Sequence, residues 1–474
     1  MLIWLVLIPL IAAALIGLCK APARPTALLS ASLTLALGIW ALVSFDGCSS
    51  CWSRFEGMDL QLTLAPALSK VMLLLTILVT FATVLGTNPP QGGEASWYNS
   101  ALLISAGATG AFLSDNMISF FAFHELALIP TFVMIGLYGR GDRRTTAWRA
   151  TLYLGLASMV LLAALLMIGT QAGFTFSGLK DFMASGRELA HAELIGALLI
   201  AGFGTLISLF PFHSWAAPAY ASAPAPVAMM HAGVLKTSGL YGLFMFQPLM
   251  ETGFLPWTNI LLVLLVCNVI WVGYVTVNQK RLDLLLGNSS VMHMGYIFLA
   301  FAALVVSGSA EANPWALKGA ALLMLAHGLT IALLFLLCGQ IEKQTGTLEI
   351  NSLGGLSTRL PRMAFVFGLA GMASIGLPGL ANFPGEFMVF FSGFAGFSNG
   401  FGPVQIATIL CLWGLVIGAV YMLRAYRNIF QGDLSKASAY ATGLQPSERA
   451  ANYFLVIALA VFGFFPTLVL QFFS

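Results

Sequence analysis

Apolar residues occur along the whole chain in runs of about twenty, separated by short stretches that contain charged residues, proline or glycine. A helix needs about 20 predominantly apolar residues to cross the hydrocarbon core of a bilayer. We therefore interpret each run as a transmembrane helix. The predicted spans, about fourteen in number, are 2–18, 26–45, 61–86, 98–114, 116–138, 149–169, 192–212, 225–248, 256–277, 283–307, 315–340, 362–395, 404–430 and 450–472.

The composition agrees with this pattern. Hydrophobic residues make up 59% of the 474 residues and charged residues only 8%, whereas soluble domains contain about 25% charged residues. A soluble globular protein is therefore excluded. A transmembrane β-barrel is excluded as well, because its strands would alternate apolar and polar residues. The sequence predicts an all-α polytopic membrane protein, with the lipid bilayer as its surroundings.

The basic residues are distributed unequally between the two sets of alternate loops. One set contains 15 lysines and arginines, and the other contains three, Arg54, Lys180 and Arg187. Because basic loops are retained in the cytoplasm, both termini are predicted outside, across a cell inner (plasma) membrane. The first apolar run lacks a basic leader, so we interpret it as a retained helix. Cys48 and Cys51 then lie in an outer loop, where a disulfide could persist.

Several classes of partner and cofactor are not expected. The net charge is only +3, and no basic cluster is interleaved with aromatic residues, so nucleic acid is not an expected partner. The other four cysteines are isolated in or beside apolar runs, and no second group of ligands completes a metal site. The chain has no P-loop, no G-x-G-x-x-G after a strand and no haem-attachment motif, so it is expected to bind no cofactor.

Proline and glycine interrupt the seventh and twelfth spans, at Phe210–Pro226 and Gly376–Glu386. Paired interruptions five helices apart indicate inverted repeats with discontinuous helices, the architecture of ion transporters. Simple kinks are the alternative, since membrane helices tolerate both residue types. The predicted organisation is three N-terminal helices, two five-helix repeats, and a C-terminal linker and helix, at 1–97, 98–250, 251–430 and 431–474.

Each predicted five-helix repeat contains one carboxylate well inside an apolar span. These are Glu125 in the fifth span and Glu386 in the twelfth. A charged group at mid-membrane costs at least about 2.5 kcal/mol, so each one needs a reason. A buried carboxylate can change protonation when a charged neighbour moves, which is what a proton carrier requires. A structural ion pair is the alternative for either residue.

Further polar residues lie within the spans around these carboxylates. One face of the tenth span contains Ser289, Ser290, His293 and Tyr296. His327 follows in the eleventh span, and imidazole is suited to relay protons near neutral pH. A hydrogen-bonded core histidine is the alternative. In the eighth span, His231 and Lys236 are five residues apart, so an α-helix would separate them by about 140° and direct them differently.

Five stretches carry a resemblance to a known family. They are Phe123–Pro130, Pro211–Trp215, Ser289–Gly295, Ala326–Leu329 and Gly376–Phe387. With these stretches the chain resembles the antiporter-like membrane subunits of complex I, over nearly all of its length. The Gly-Glu-Phe element favours the subunit M, or mitochondrial subunit-four, branch, because the family's other members usually have lysine at the glutamate position. The resemblance implies fourteen helices with inverted five-helix repeats.

The resemblance also implies roles for individual residues. The residues expected to transfer protons are Glu125, Lys236, His231, His293, His327 and Glu386. One departure concerns the family's seventh-helix lysine, which would fall at Leu206. The family's eighth-helix lysine would align near Thr237, one position after Lys236. The glutamate–lysine pair of the first repeat is therefore replaced or lost, and Lys236 is the expected substitute.

The function implied by the resemblance is proton translocation in the membrane arm of a complex I-type NADH:quinone oxidoreductase. The chain would act as a subunit of this enzyme, contact other membrane-arm subunits and contain no redox site. A related subunit of a cation/proton antiporter, an energy-converting hydrogenase or an inorganic-carbon uptake complex is an alternative. A paralogue that has lost pumping is another.

Overall fold

The computed structural model describes residues 1–44, 49–53, 60–395 and 400–473. Cys48 and the side chain of Cys51 lie outside the described residues, so the disulfide between them stays a prediction. A small antiparallel sheet pairs β1 (Ser49–Ser53) with β2 (Leu60–Thr63). The helices are α1 (Leu2–Gly17), α2 (Ala23–Ser44), α3 (Ala67–Gly86), α4 (Glu94–Leu113), α5 (Met117–Tyr138), α6 (Arg143–Ala172), α7 (Phe176–Ala184), α8 (Ala192–Ile207), α9 (Ala216–Ser222), α10 (Ala225–Met230), α11 (Lys236–Met245), α12 (Thr258–Val277), α13 (Leu282–Ser307), α14 (Pro314–Thr345), α15 (Pro361–Ser374), α16 (Asn382–Gly393), α17 (Pro403–Phe430), α18 (Pro446–Phe464) and α19 (Thr467–Leu470).

The prediction of an all-helical membrane protein is confirmed. In the described ranges, nine helical segments are long and apolar enough to cross a bilayer, and α1 and α8 are shorter apolar helices. Large apolar side chains on the outside of the bundle, such as Leu156, Trp271 and Phe464, are more than half exposed. An apolar surface of this extent suits contact with lipid rather than with water.

Both predicted interruptions are present. The seventh span breaks between α8 and α9, and the twelfth breaks between α15 and α16. In the second break Gly376 has a φ of +77°, which disfavours any residue with a Cβ. Pro378 follows four residues after Ser374 and has no N–H to continue the helix. The resulting pieces of 7 to 16 residues are each shorter than a full span.

The structure differs from the sequence prediction in two places. The third helix begins at Ala67 rather than at residue 61, because Leu60–Thr63 forms β2 and Pro66 precedes the helix. A short helix, α7, lies in the predicted loop after α6, where the hydroxyl of Thr175 caps it by accepting from Gly178 N. With nine residues, α7 is too short to be recognised as a transmembrane span from hydropathy.

The two most deeply buried long helices are α13 and α14. In the most apolar 18 residues of α14, every residue is buried inside the protein. In the corresponding stretch of α13, 94% of the residues are buried. Gly328 on α14 packs directly on Gly233, so that a Cβ built on Gly328 would lie 2.5 Å from the Gly233 carbonyl oxygen. This contact of two backbones brings His327, the residue before Gly328, close to the eighth span.

Candidate functional site

Glu125 lies near the middle of α5 and is half-buried. Its Oε1 accepts a hydrogen bond of 2.5 Å from the hydroxyl of Ser158 on α6. The ion pairs found among the described residues do not include Glu125. The carboxylate is therefore held by a neutral donor rather than by direct contact with a cation.

His124, the residue before Glu125, is buried and connects α5 to α11. Its Nδ1 lies 3.0 Å from the hydroxyl of Ser238, which itself donates to the carbonyl of Leu235 at 2.6 Å. Because a serine hydroxyl has one proton to donate, Nδ1 of His124 must carry the N–H in this pair. Nε2 is then a bare acceptor, and it has no partner among the described atoms.

The eighth span contains a π-helical turn at His231–Leu235, between α10 and α11. The backbone N–H of Lys236 bonds to the carbonyl of His231, five residues back. Both side chains contact the ring of Tyr220, at 5.4 Å between the ring centroids for His231 and at 5.5 Å from Nζ for Lys236. The expectation that they face different directions is therefore wrong, because a π turn contains more residues than an α turn.

Lys236 is fully buried and points into the protein. Its Nζ donates to the hydroxyl of Ser290 on α13 at 3.3 Å and lies over the Tyr220 ring. The neighbouring Thr237 only bonds back to the carbonyl of Val234, and Leu206 is buried in the apolar core. No direct ion pair joins Lys236 to Glu125 in the described part of the chain. The lysine thus contacts the second half of the protein.

A row of polar side chains continues from Lys236 through α13 and α14. The Ser290 hydroxyl pairs with Nε2 of His327 at 3.1 Å. The His327 ring stacks on the ring of His293, with the centroids 5.4 Å apart. His293 in turn contacts the carbonyl of Ser374, at the break in the twelfth span, at 2.9 Å. The structure therefore brings Lys236, His327 and His293 together in one buried row.

Glu386 is buried at the start of α16, beyond the same break. A Cβ built on Gly376 would lie 1.9 Å from its Oε2, so the carboxylate occupies the space that a side chain at 376 would need. Oε1 has no hydrogen-bond partner among the described atoms, and neither has the hydroxyl of Tyr296.

The side chain of Asn268 bonds to the backbone at the broken end of the seventh span. Asn268 on α12 donates to the carbonyls of Ser208 and Val291, both at 3.1 Å, and accepts from the backbone N–H of Phe210. Backbone groups released at a break inside a membrane need such partners. Both breaks are therefore stabilised by residues of the tenth span and its neighbour.

Two cavities reach toward the bundle from opposite ends. One, of about 590 Å³, is lined by the C-terminal ends of α3, α5 and α14. The ion pairs Arg140–Glu342 and Lys343–Glu448, at 2.6 and 2.8 Å, lie at this cavity. The other, of about 850 Å³, is lined by Asp115 and residues that precede α3 and α14. Charged side chains therefore line an open cavity at each end of the helical bundle.

Several residues of the site were not identified from the sequence. They are Ser158, Tyr220, Ser238, Asn268 and Tyr421. Tyr421 on α17 joins the site because its hydroxyl lies 2.7 Å from that of Ser289. Hydroxyl and amide residues are common in membrane helices, so only their contacts in the folded protein distinguish these five.

We expect Gly376→Ala to destabilise the protein and to displace the Glu386 carboxylate. An alanine at φ +77° costs about 1–2 kcal/mol in backbone strain alone, and its methyl group would overlap Oε2 of Glu386. Thermal unfolding of the purified protein measures the stability, and a structure of the variant shows the carboxylate.

Gly136→Ala is the matched control, because a Cβ at Gly136 in α5 meets no atom within 4 Å. This change should leave stability unchanged or raise it slightly, since alanine favours helix. A Gly376→Ala protein with normal stability and an unmoved Glu386 would contradict the proposed close packing.

The chain matches a known family and individual proteins of known identity. Residues 114–418 match the family described as NADH:quinone oxidoreductase/Mrp antiporter, transmembrane. NAD(P)H-quinone oxidoreductase chain 4 of Synechococcus elongatus is 32% identical over 429 residues, which cover 89% of this chain and 77% of that protein.

Solved structures give the same result. A chain of respiratory complex I from Thermus thermophilus superposes with a TM-score of 0.88 and 26% identity, covering 100% of this chain and 97% of that chain. A chain of the Mrp complex from a Dietzia species has a TM-score of 0.84 at 18% identity, covering 99% and 95%, which shows a shared fold. The chain therefore belongs to the NADH:quinone oxidoreductase/Mrp antiporter transmembrane family.

Proposed function

We propose that the chain is a proton-translocating membrane-arm subunit of a complex I-type NADH:quinone oxidoreductase. The relative with 32% identity is chain 4 of such an enzyme, and the Thermus chain is part of a respiratory complex I. The observation that carries the proposal is the buried row Lys236, Ser290, His327 and His293, in which groups able to exchange protons are in contact. An apolar membrane core has no structural need for such a row.

In the second half, protons would move between Lys236 and Glu386 along this row. The Ser290 hydroxyl can accept from Lys236 and donate to His327, since a hydroxyl does both. A histidine can take a proton on one ring nitrogen and release one from the other. Glu386, beyond His293, would be the terminal titrating group of this half.

In the first half, Glu125 and Lys236 would exchange protons through intervening groups. These groups would be His124, which precedes Glu125, and His231, which contacts the same Tyr220 ring as Lys236. Nε2 of His124, Nδ1 of His231 and the hydroxyl of Tyr220 have no partner among the described atoms. Buried polar atoms without protein partners are normally satisfied by ordered water, and water in this region would complete the connection.

The architecture of this proposal has fourteen membrane crossings and two inverted five-helix repeats, 98–250 and 251–430. The breaks between α8 and α9 and between α15 and α16 occupy corresponding positions in the two repeats. The distribution of basic loops supports a membrane orientation with both termini outside. The cavity with the Arg140–Glu342 ion pair would then open to the cytoplasmic side.

The chain would contribute no redox centre of its own. NADH oxidation and quinone reduction would occur on partner subunits, and their free energy would reach this chain through contacts within the membrane arm. In a bacterium the assembly would lie in the plasma membrane.

We expect Lys236→Gln to lower the rate of proton translocation about tenfold or more. Glutamine can still donate to Ser290, but it has no amine that can gain or release a proton between the two halves. The measurement is redox-driven proton uptake by proteoliposomes that contain the purified complex.

Lys280→Gln is the control, because Lys280 is an exposed lysine in a loop. It should leave proton uptake unchanged. If Lys236→Gln also translocates normally in a fully assembled complex, Lys236 does not carry or control the proton.

One observation favours a rival function. Leu206 stands where the family has a lysine, and Lys236 forms no direct ion pair with Glu125 among the described residues. A subunit of a cation/proton antiporter, or of a hydrogenase or carbon-uptake complex, would use the same fold with a different driving reaction.

The proposal is tested by isolating the native complex through a tag on this chain and identifying its other subunits. We expect NADH-binding and iron–sulfur subunits of an NADH:quinone oxidoreductase. Recovery of cation-antiporter subunits, or of zinc proteins of a carbon-uptake complex, in place of these subunits would overturn it.

A further inference from the structure

Three arginines line one cavity at the end of the bundle where α15 and α18 begin. Arg359 and Arg362 lie on either side of Pro361, the first residue of α15, and Arg449 lies near the start of α18. The cavity has a volume of about 320 Å³, and no acidic residue of the described ranges lines it. Three positive charges therefore surround one opening.

The charges of these arginines are not balanced by acids in the part of the chain that the structure describes. None of the three belongs to an ion pair found there. The neighbouring Glu448 is bound by Lys343 at 2.8 Å and by Asn88 at 2.7 Å, so it does not pair with Arg449. Nε of Arg449 is buried and has no hydrogen-bond partner among the described atoms. A buried N–H of this kind needs an acceptor from outside the protein.

The start of α15 adds to the preference for an anion. The helix begins at Pro361 without a side-chain cap, so N–H groups of its first turn are available to a ligand. The N-terminal end of a helix carries a partial positive charge and binds phosphate well. Guanidinium groups also match phosphate, because two of their N–H groups can bind two of its oxygens at once. The cavity therefore has the chemistry of a phosphate-binding site.

An apolar groove lies further along α15, between this helix and α17. It has a volume of about 390 Å³, and Phe365, Met372 and Met422 are among the residues that line it. No charged residue of the described ranges lines the groove. Arg362, Phe365 and Leu369 are spaced by three and four residues, so they share one face of α15. The groove therefore begins about one turn from the arginines.

The length of the groove matches one leaflet of a bilayer. Phe365 and Ile375, at its two ends, are ten residues apart, which is about 15 Å along a helix. The hydrocarbon core of a bilayer is about 30 Å thick, so the groove covers half of it. A transmembrane helix of a partner would need the full thickness, whereas an acyl chain needs only one leaflet. The length therefore favours an acyl chain.

We propose that Arg359, Arg362 and Arg449 bind the phosphate of an anionic phospholipid, one acyl chain of which lies in the groove between α15 and α17. In the proposed orientation these arginines lie on the cytoplasmic side, where anionic lipids attract clustered basic residues. The lipid stabilises α15, which ends two residues before Gly376, the glycine packed against Glu386. The site does not depend on which reaction drives the protein.

The test measures lipid binding to the purified chain in a neutral detergent, by native mass spectrometry and by thermal unfolding. The probes are dioleoyl phosphatidylglycerol, dioleoyl phosphatidylcholine and inorganic phosphate. We expect only phosphatidylglycerol to bind at this site and to raise the unfolding temperature, as a ligand of the folded state does. Equal binding of phosphatidylcholine would show that the negative charge is not recognised. Equal stabilisation by inorganic phosphate would show a site for soluble anions. Either result overturns the proposal.

The variant Arg359→Gln, Arg362→Gln, Arg449→Gln should bind phosphatidylglycerol about a hundredfold more weakly, since each basic residue contributes a factor of about five. A matched control removes the same charge from three exposed basic residues that do not line the cavity, with Arg144→Gln, Arg149→Gln and Lys280→Gln. The control should bind normally. Equal binding by both triple variants would mean that the cavity is not the lipid site.

Gly368→Leu tests the groove separately. A Cβ on Gly368 would lie 3.4 Å from the ring of Tyr426, an ordinary contact, so the rest of the leucine side chain enters the groove. We expect about tenfold weaker binding of phosphatidylglycerol, the loss expected when about two methylene groups are displaced. Gly136→Leu is the control, because a Cβ at Gly136 meets no atom within 4 Å. Normal binding by Gly368→Leu would exclude an acyl chain from the groove.

A structure of the native complex in phosphatidylglycerol nanodiscs gives a second readout that does not require the isolated chain. We expect a phosphodiester within hydrogen-bonding distance of the three arginines and an acyl chain along α15. A carboxylate of a partner subunit at the arginines would identify the cavity as a protein–protein contact instead and would rule out the lipid site.

Discussion

Glu386→Gln is expected to lower redox-driven proton translocation by about tenfold or more in an assembled complex. A positioned acid–base group contributes about 10²–10⁴ in rate, and Glu386 is the buried carboxylate proposed to end the row of Lys236, His327 and His293. Glutamine preserves the size that fits against Gly376, so the structure should tolerate the change. The measurement is proton uptake by proteoliposomes, normalised to the amount of complex.

Glu386→Lys separates loss of titration from loss of shape. The family's other members usually have lysine at this position, so the lysine variant should retain part of the activity that the glutamine variant loses. Normal proton uptake by Glu386→Gln would show that titration at position 386 is not required.

Glu125→Gln is expected to cause a loss of similar size. Its amide oxygen can still accept from the hydroxyl of Ser158, so packing between α5 and α6 is preserved while proton exchange ends. Coupled activity and proton uptake should fall together, and the complex should assemble normally.

The matched control is Glu193→Gln, because Glu193 is an exposed glutamate at the start of α8. This variant should pump at the normal rate. If a fully assembled Glu125→Gln complex also pumps normally, Glu125 has a structural role and the first half uses another carrier.

The sequence predicted the membrane class, the two broken helices and the deeply buried positions of Glu386, His293 and His327. Each of these has a local signal, either an apolar run, a Pro/Gly interruption or a polar residue within a span. The start of α3 was misplaced because β2 and the residues between it and α3 contain no charged residue, so hydropathy alone did not separate the short strand from the helix that follows it.

The relation between His231 and Lys236 was not predictable from spacing. The angle of 140° assumed a regular α-helix, whereas the π turn at His231–Leu235 places both residues against Tyr220. The roles of Ser158 and Tyr421 depend on contacts between helices that are distant in sequence. Such contacts are set by tertiary packing, which hydropathy does not encode.

We propose that protons cross the membrane domain through the buried residues of this chain. The most direct test is proton translocation in proteoliposomes by the complex carrying Glu125→Gln and Glu386→Gln together, with NADH oxidation by an artificial acceptor measured in parallel. We expect a fully assembled complex that oxidises NADH with the artificial acceptor at the normal rate and translocates far fewer protons when quinone is reduced. Normal proton translocation by the same assembled complex would show that protons take another route.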